Sequence, residues 1–95
     1  MLLSLQEKYL YKGIKDGAAI FNTLTGDTSF LTSPTNYIVQ WLNEKNQTEK
    51  NLLTKFVNYH DDLPNNHQNL QMIAEQFTQL ITEIKKSGII IEISV

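Results

Sequence analysis

Apolar and polar positions alternate in the first third of the chain and recur at helical spacing after it. Tyr9-Leu10-Tyr11-Lys12-Gly13-Ile14 is a β-prone run, and Ala18 to Thr23 is a second. Between them stands Lys15-Asp16-Gly17, and Asp-Gly between such runs is a two-residue hairpin signal. Thr25-Gly26-Asp27 then turns the chain into a third run, Thr28-Ser29-Phe30-Leu31-Thr32. Glycine tolerates the positive φ that such a turn needs. The pattern predicts an antiparallel meander of three short strands. Residues 1–8 read as a lead-in.

From residue 33 the period changes. Ser33 offers a hydroxyl to orphan amides, and Pro34 has the φ of a first helical residue. Tyr37, Ile38, Trp41 and Leu42 fall on one face at i, i+3, i+4 spacing, which predicts a helix over 33–43. The lone Trp makes this helix the expected anchor of the core. A polar break, Asn43 to Gln47, leads to Thr48, a cap for a second helix with Glu49 in its first turn. Leu52, Leu53, Phe56 and Val57 are its apolar face. His60 to Asn66 reads as a connector, with Pro64 stopping the second helix. The third helix has the clearest period: Leu70, Ile73, Ala74, Phe77, Leu80, Ile81 and Ile84 recur over four turns. Lys85 and Lys86 suit its negative end, and Gly88 its left-handed stop. Ile89, Ile91, Ile93 and Val95 alternate with Ile90, Glu92 and Ser94, as a final strand or the remnant of a wing.

Three strands, three helices and a strand predict one α+β domain over 1–95 with a winged-helix-like architecture. The 41% apolar content suffices for one modest core at this length.

Composition narrows the chemistry. With no cysteine, disulfide scaffolds, thiolate zinc sites and cysteine nucleophiles are excluded. Acid at Glu7 and the lack of a basic lead argue against a signal peptide. No apolar run approaches the ~18–20 residues that span a bilayer. The expectation is a cytoplasmic protein without a membrane partner. Eight lysines face ten acids, for a net charge of −2, and arginine is absent. Arginine's forked donors dominate phosphate and guanine contacts, so nucleic acid is not the expected partner. Gln68, Gln71, Glu75, Gln76, Gln79 and Glu83 on the polar face of the third helix point the same way.

Candidate catalytic groups do not converge. His60 and His67 are seven apart across a proline-bearing loop, Asp27 is a turn residue, and each glycine stands alone. No catalytic residue, metal or cofactor is expected. The sheet edge remains. Thr28–Thr32 carries neither Pro nor Lys to discourage pairing, so the edge is either covered, by the C-terminal strand or a twin chain, or used for β-augmentation.

Thr25-Gly26-Asp27-Thr28-Ser29-Phe30-Leu31, followed by Ser33-Pro34 and an amphipathic helix through Trp41-Leu42, resembles the PqqD-like proteins, named for the pyrroloquinoline quinone pathway. The likeness is to the branch associated with HPr-kinase-like proteins, the HPr-rel-A system. That branch has Gly-(Asp/Glu)-Thr-His-Leu-Leu, so Ser29 stands where His is usual and Phe30 where Leu is usual. Ser87-Gly88-Ile89-Ile90-Ile91-Glu92 is similar to the family's closing Gly-Leu-Ile-Glu. The resemblance implies a non-catalytic peptide chaperone. A leader peptide would add as a strand beside the third strand, lie against the third helix, and be presented to a peptide-modifying or HPr-kinase-like enzyme. The implied peptide-binding residues are Thr28, Ser29, Phe30 and Leu31 on the edge, and Ile73, Phe77 and Leu80 on the helix. The alternatives are a winged-helix nucleic-acid binder and a structural subunit whose edge is sealed by homodimerisation.

Overall fold

The computed structural model describes residues 2–60 and 67–93. The proposed connector through Pro64 and the tail at Ser94 and Val95 lie outside them. The elements run β1 (Leu2–Leu5), β2 (Tyr9–Ile14), β3 (Gly17–Asn22), β4 (Thr28–Thr32), α1 (Thr35–Glu44), β5 (Gln47–Thr48), α2 (Glu49–Tyr59), α3 (His67–Ser87) and β6 (Ile90–Ile93). The α+β, winged-helix-like architecture is as expected: an antiparallel sheet in the order β2-β3-β4, three helices, and a C-terminal strand.

The main departure is at the N-terminus. Residues 2–5 are not a lead-in. They form the central strand of a second sheet, β5-β1-β6, with Leu2 opposite Ile93 and Leu5 opposite Ile90 on one side. On the other side Leu3 stands opposite Gln47. The polar break therefore contains a strand, and buried Gln47 donates its Nε2 to the Trp41 carbonyl at 2.9 Å. That carbonyl, in the last turn of α1, also accepts from the Lys45 amide at 3.2 Å, so the Gln47 side chain adds a second donor to it.

The first hairpin turn differs in detail from the expected chemistry, whereas the second keeps the expected positive-φ glycine. In the first, Lys15 and Asp16 are the turn and Asp16 takes the positive φ, 66°. Gly17 is already in β3, opposite Ile14. A Cβ there would run into the Leu31 carbonyl oxygen of β4, so close backbone approach requires the glycine. In the second turn, Asn22 Oδ1 accepts from the amides of Leu24 and Thr25, at 3.0 and 3.2 Å. Gly26 follows with φ 82°.

The helix starts follow two different rules. Thr48 Oγ1 accepts from the Asn51 amide at 3.1 Å, a side-chain cap as expected. Ser33 does not cap α1. Its hydroxyl is 2.8 Å from the Tyr59 hydroxyl, Pro34 occupies the cap position, and the helix begins at Thr35. Gly88, with φ 84°, ends α3.

Leu3, Ile20, Ile38, Leu42, Leu52, Phe56, Ile73, Phe77, Ile81 and Ile90 belong to one core cluster. The Phe56 and Phe77 rings meet at its centre, 5.4 Å apart and tilted by 55°. Trp41 is not the anchor. The buried side of α1 is Asn36, Ile38, Val39 and Leu42, which leaves Trp41 half-buried on the flank, its ring 6.0 Å from the Lys55 ammonium.

Candidate functional site

The candidate site is the outer edge of β4, and the backbone decides its character. Adjacent residues of an antiparallel strand direct their N–H and C=O groups to opposite sides. The two-residue turn makes Ile14–Gly17 a hydrogen-bonded pair, and the Asn22 amide donates to the Asp27 carbonyl at 2.8 Å. Gly17, Ala19 and Phe21 therefore bond to β2, whereas Ala18, Ile20 and Asn22 bond toward β4. Ser29 and Leu31, opposite Ile20 and Ala18, are committed to β3. Thr28, Phe30 and Thr32 direct their backbone groups to the free side. Among the described residues no strand pairs there: β6, the tail that could have covered this edge, pairs with β1 in the other sheet.

The side chains divide by face. Leu31 stands beside Ala18 and packs on the core, and Ser29, beside Ile20, is exposed at the rim. Thr28 and Phe30 point the other way, to the outer face, and Phe30 is 70% exposed. The same face carries Leu10 and Phe21 in one row, Lys12 and Ala19 in the next, and Ile14 in the third. Leu10, Ile14, Phe21 and Phe30 are all exposed large hydrophobics. This apolar sheet face was not singled out from the sequence, although the alternation of Leu10, Lys12 and Ile14 with Tyr9, Tyr11 and Gly13 is its signal.

The expected helix half of the site is not assembled. Ile73 is 4% exposed and Phe77 is 2% exposed, both in the core, so neither has surface to offer a peptide. Leu80 is half-buried against the same cluster. β4 packs chiefly on β3 and α1, and α3 chiefly on α2 and β6. The strong helical period of 73, 77 and 80 is thus a core stripe. The opposite, exposed face of α3 carries Gln68, Gln71, Glu75, Gln76, Gln79 and Glu83, an uncharged-to-acidic surface.

What the arrangement can do chemically is pair. An extended segment laid along β4 meets outward donors and acceptors at 28, 30 and 32, with no proline or charged side chain in the strand to deter it. Among the described residues, no three His, Asp or Glu side chains are grouped to hold a metal ion, and no helix is long and apolar enough to cross a membrane. No protein-family model, curated protein or solved structure matches this chain.

Proposed function

We propose that this protein captures an extended peptide by β-strand addition along β4 and presents it to a modifying enzyme, without catalysis of its own. The observation that carries the reading is the unguarded edge: outward backbone groups at Thr28, Phe30 and Thr32 in a strand free of Pro and Lys. Main-chain hydrogen bonds supply affinity in this mode, and pockets for alternate side chains supply selectivity. The resemblance to PqqD-like proteins, with their leader peptides, agrees in the choice of strand. It also suggests a partner enzyme of the peptide-modifying or HPr-kinase-like kind and a cytoplasmic setting. With Ile73 and Phe77 in the core, peptide side chains would meet Leu31 and its surroundings on one face and Phe30 on the other.

The test is an amide titration. Isotope-labelled protein receives candidate leader peptides encoded beside its gene. Saturable shifts across 28–32 are expected, absent in a folded Phe30→Pro variant that lacks one outward N–H. Saturating peptide that moves none of these amides rejects the reading. A dimer by light scattering, with 28–32 already protected from exchange, would assign the edge to a second copy instead.

A further inference from the structure

The outer face of the β2-β3-β4 sheet is an apolar surface that strand addition along β4 engages only at Phe30. Leu10, Ile14, Phe21 and Phe30 leave on the order of 400–500 Å² of it open, as much as an ordinary monomer exposes in its largest patch. The core lies on the opposite face, against Ala18, Ile20 and Leu31.

The ladder maps this face. Leu10, Phe21 and Thr28 form one row across the strands. Lys12, Ala19 and Phe30 form the middle row, and Ile14, Gly17 and Thr32 the last. The backbone groups of all three strands lie in the plane of the sheet. A lone extended peptide laid over the face would leave its own backbone unpaired, whereas a second sheet arrives with its ladder already made. A membrane is a poor fit, because it calls for clustered lysines. Charge at both ends of this face is mixed: Lys15 adjoins Asp16 in one turn, and Lys8 and Asp27 flank the other end.

The pattern suits a second copy of the same face. A closed dimer needs a two-fold axis in the interface, and aligned sheet packing leaves two choices. An axis across the strands stacks β2 on β2 and sets Lys12 over Lys12. An axis along β3 lays β2 over the other copy's β4, so that Lys12 covers Phe30 of the partner subunit twice over. The lysine stem then packs on the ring while its ammonium meets the aromatic face. Leu10 and Ile14 fall over threonines, and the small Gly17 and Ala19 line the axis, where they let the flanking side chains reach across.

We infer that two copies of this chain associate face to face through the β2-β3-β4 sheet, about an axis along β3. With the Lys12 stem and the threonines, the face offers roughly 600 Å² per copy, at the low end of protein interfaces. The dimer is therefore weak, with a Kd on the order of 0.1 mM. The contact uses side chains above the sheet and strand addition uses backbone groups at its edge, so both operate together. The inference stands without the reading of β4.

The experiment follows the full chain from about 10 μM to about 1 mM, a range that brackets the expected Kd, by light scattering and amide spectra. Mass should rise toward that of a dimer, with shifts over 10–14, 17–21 and 28–32 and no slowing of exchange at 28, 30 and 32. Ala19→Glu sets two carboxylates face to face on the axis and should weaken the dimer about tenfold or more. Lys12→Gln keeps most of the stem without the charge and should weaken it roughly fivefold. Both variants are checked for parent-like circular dichroism at the lowest concentration, where every chain is monomeric. A parent that stays monomeric throughout overturns the inference, and its sedimentation with vesicles of equal phosphatidylglycerol and phosphatidylcholine would then give the face to a membrane. A dimer that Ala19→Glu leaves intact also overturns it, and slow exchange at 28, 30 and 32 would then give the contact to the edge. Unchanged or tighter association of Lys12→Gln overturns the axis along β3.

Discussion

The two three-stranded sheets of this small fold are put to opposite uses. In β5-β1-β6, Leu3, Gln47 and Ile90 are buried, and Lys85 at the end of α3 bridges Glu49 of α2 and Glu92 of β6. That sheet gathers segments from the beginning, middle and end of the chain. In β2-β3-β4 only one face is committed, through Ala18 and Ile20, while Leu10, Ile14, Phe21 and Phe30 stand exposed on the other. All of its pairings are between neighbours in sequence. A local meander can hold its shape through turns and ladder bonds, so its outer face and far edge are spared from closing the core. The closing is left to the other sheet, and this division lets a 95-residue chain keep a free strand.

The largest test of that division compares aromatics. Phe56→Ala removes a fully buried ring from the junction with Phe77 and should cost ~3–5 kcal/mol. Phe30→Ala, at an exposed position, should change stability by no more than about 0.5 kcal/mol. Urea unfolding of both variants reads the difference. A Phe30→Ala loss comparable to Phe56→Ala would mean that the outer face is structural, and the contrast between the sheets would fail.

Proline scanning of β4 sharpens the comparison within one strand. Ser29 directs its N–H to β3, so Ser29→Pro leaves a partner unmet and should lose roughly 1–3 kcal/mol. Phe30 directs its N–H outward, so Phe30→Pro should lose less while abolishing peptide pairing. Thermal melts of the two variants check the order. A reversed order would put the ladder in the other phase and move the outward groups to Ser29 and Leu31.

The next effect concerns Gly17. Its place against the Leu31 carbonyl leaves no room for a Cβ, so Gly17→Ala must separate β3 from β4 locally. A destabilisation of about 1–3 kcal/mol is expected, as for other overpacked sites. Faster amide exchange across residues 28–32 should accompany it. A variant as stable as the parent, with unchanged exchange, would show that the meander has slack at this point.

Legibility in the sequence followed the range of the interactions. The meander is written in turns a few residues long, and the expected limits of β4, Thr28–Thr32, are the observed ones. The α3 period, the Thr48 cap and the Gly88 stop are equally local. β1 was missed because four residues, Leu-Leu-Ser-Leu, give no period, and their partners lie some forty to ninety positions away. Distance also explains the candidate site. Periodicity marks Ile73 and Phe77 as one apolar side of a helix, but not whether a peptide or the rest of the fold covers it. In this chain α2 supplies the cover, with Phe56 against Phe77. The burial of Asn36 was invisible for the same reason: a polar residue at the start of a helix normally signals solvent, whereas here it lies on the buried side of α1 with Ile38, Val39 and Leu42.

The smallest effect tests how the closing sheet is held. Its hydrogen bond to Glu92 raises the Lys85 pKa against the opposing effect of burial, with Glu49 and Glu92 adding attraction. The Lys85 hydrogen bond and charge lower that of Glu92. A lowered carboxylate contributes stability that is present above its unfolded value, roughly pH 4.3, and lost as pH falls through the folded one. The raised lysine contributes fully below its own unfolded value, roughly pH 10.4, and the contribution disappears as pH rises through the folded one. Between those limits the bridge is intact and nearly independent of pH. Both side chains are substantially solvent-exposed, so the effect should be slight and should shrink in added salt. Glu92→Gln should melt slightly below the parent at pH 7, and the gap should close as the pH is taken below 4. Parallel melting curves for parent and variant across the acid range would show that the Lys85–Glu92 pair contributes nothing, and would leave the β1–β6 ladder and the burial of Leu3 and Ile90 to hold this sheet by themselves.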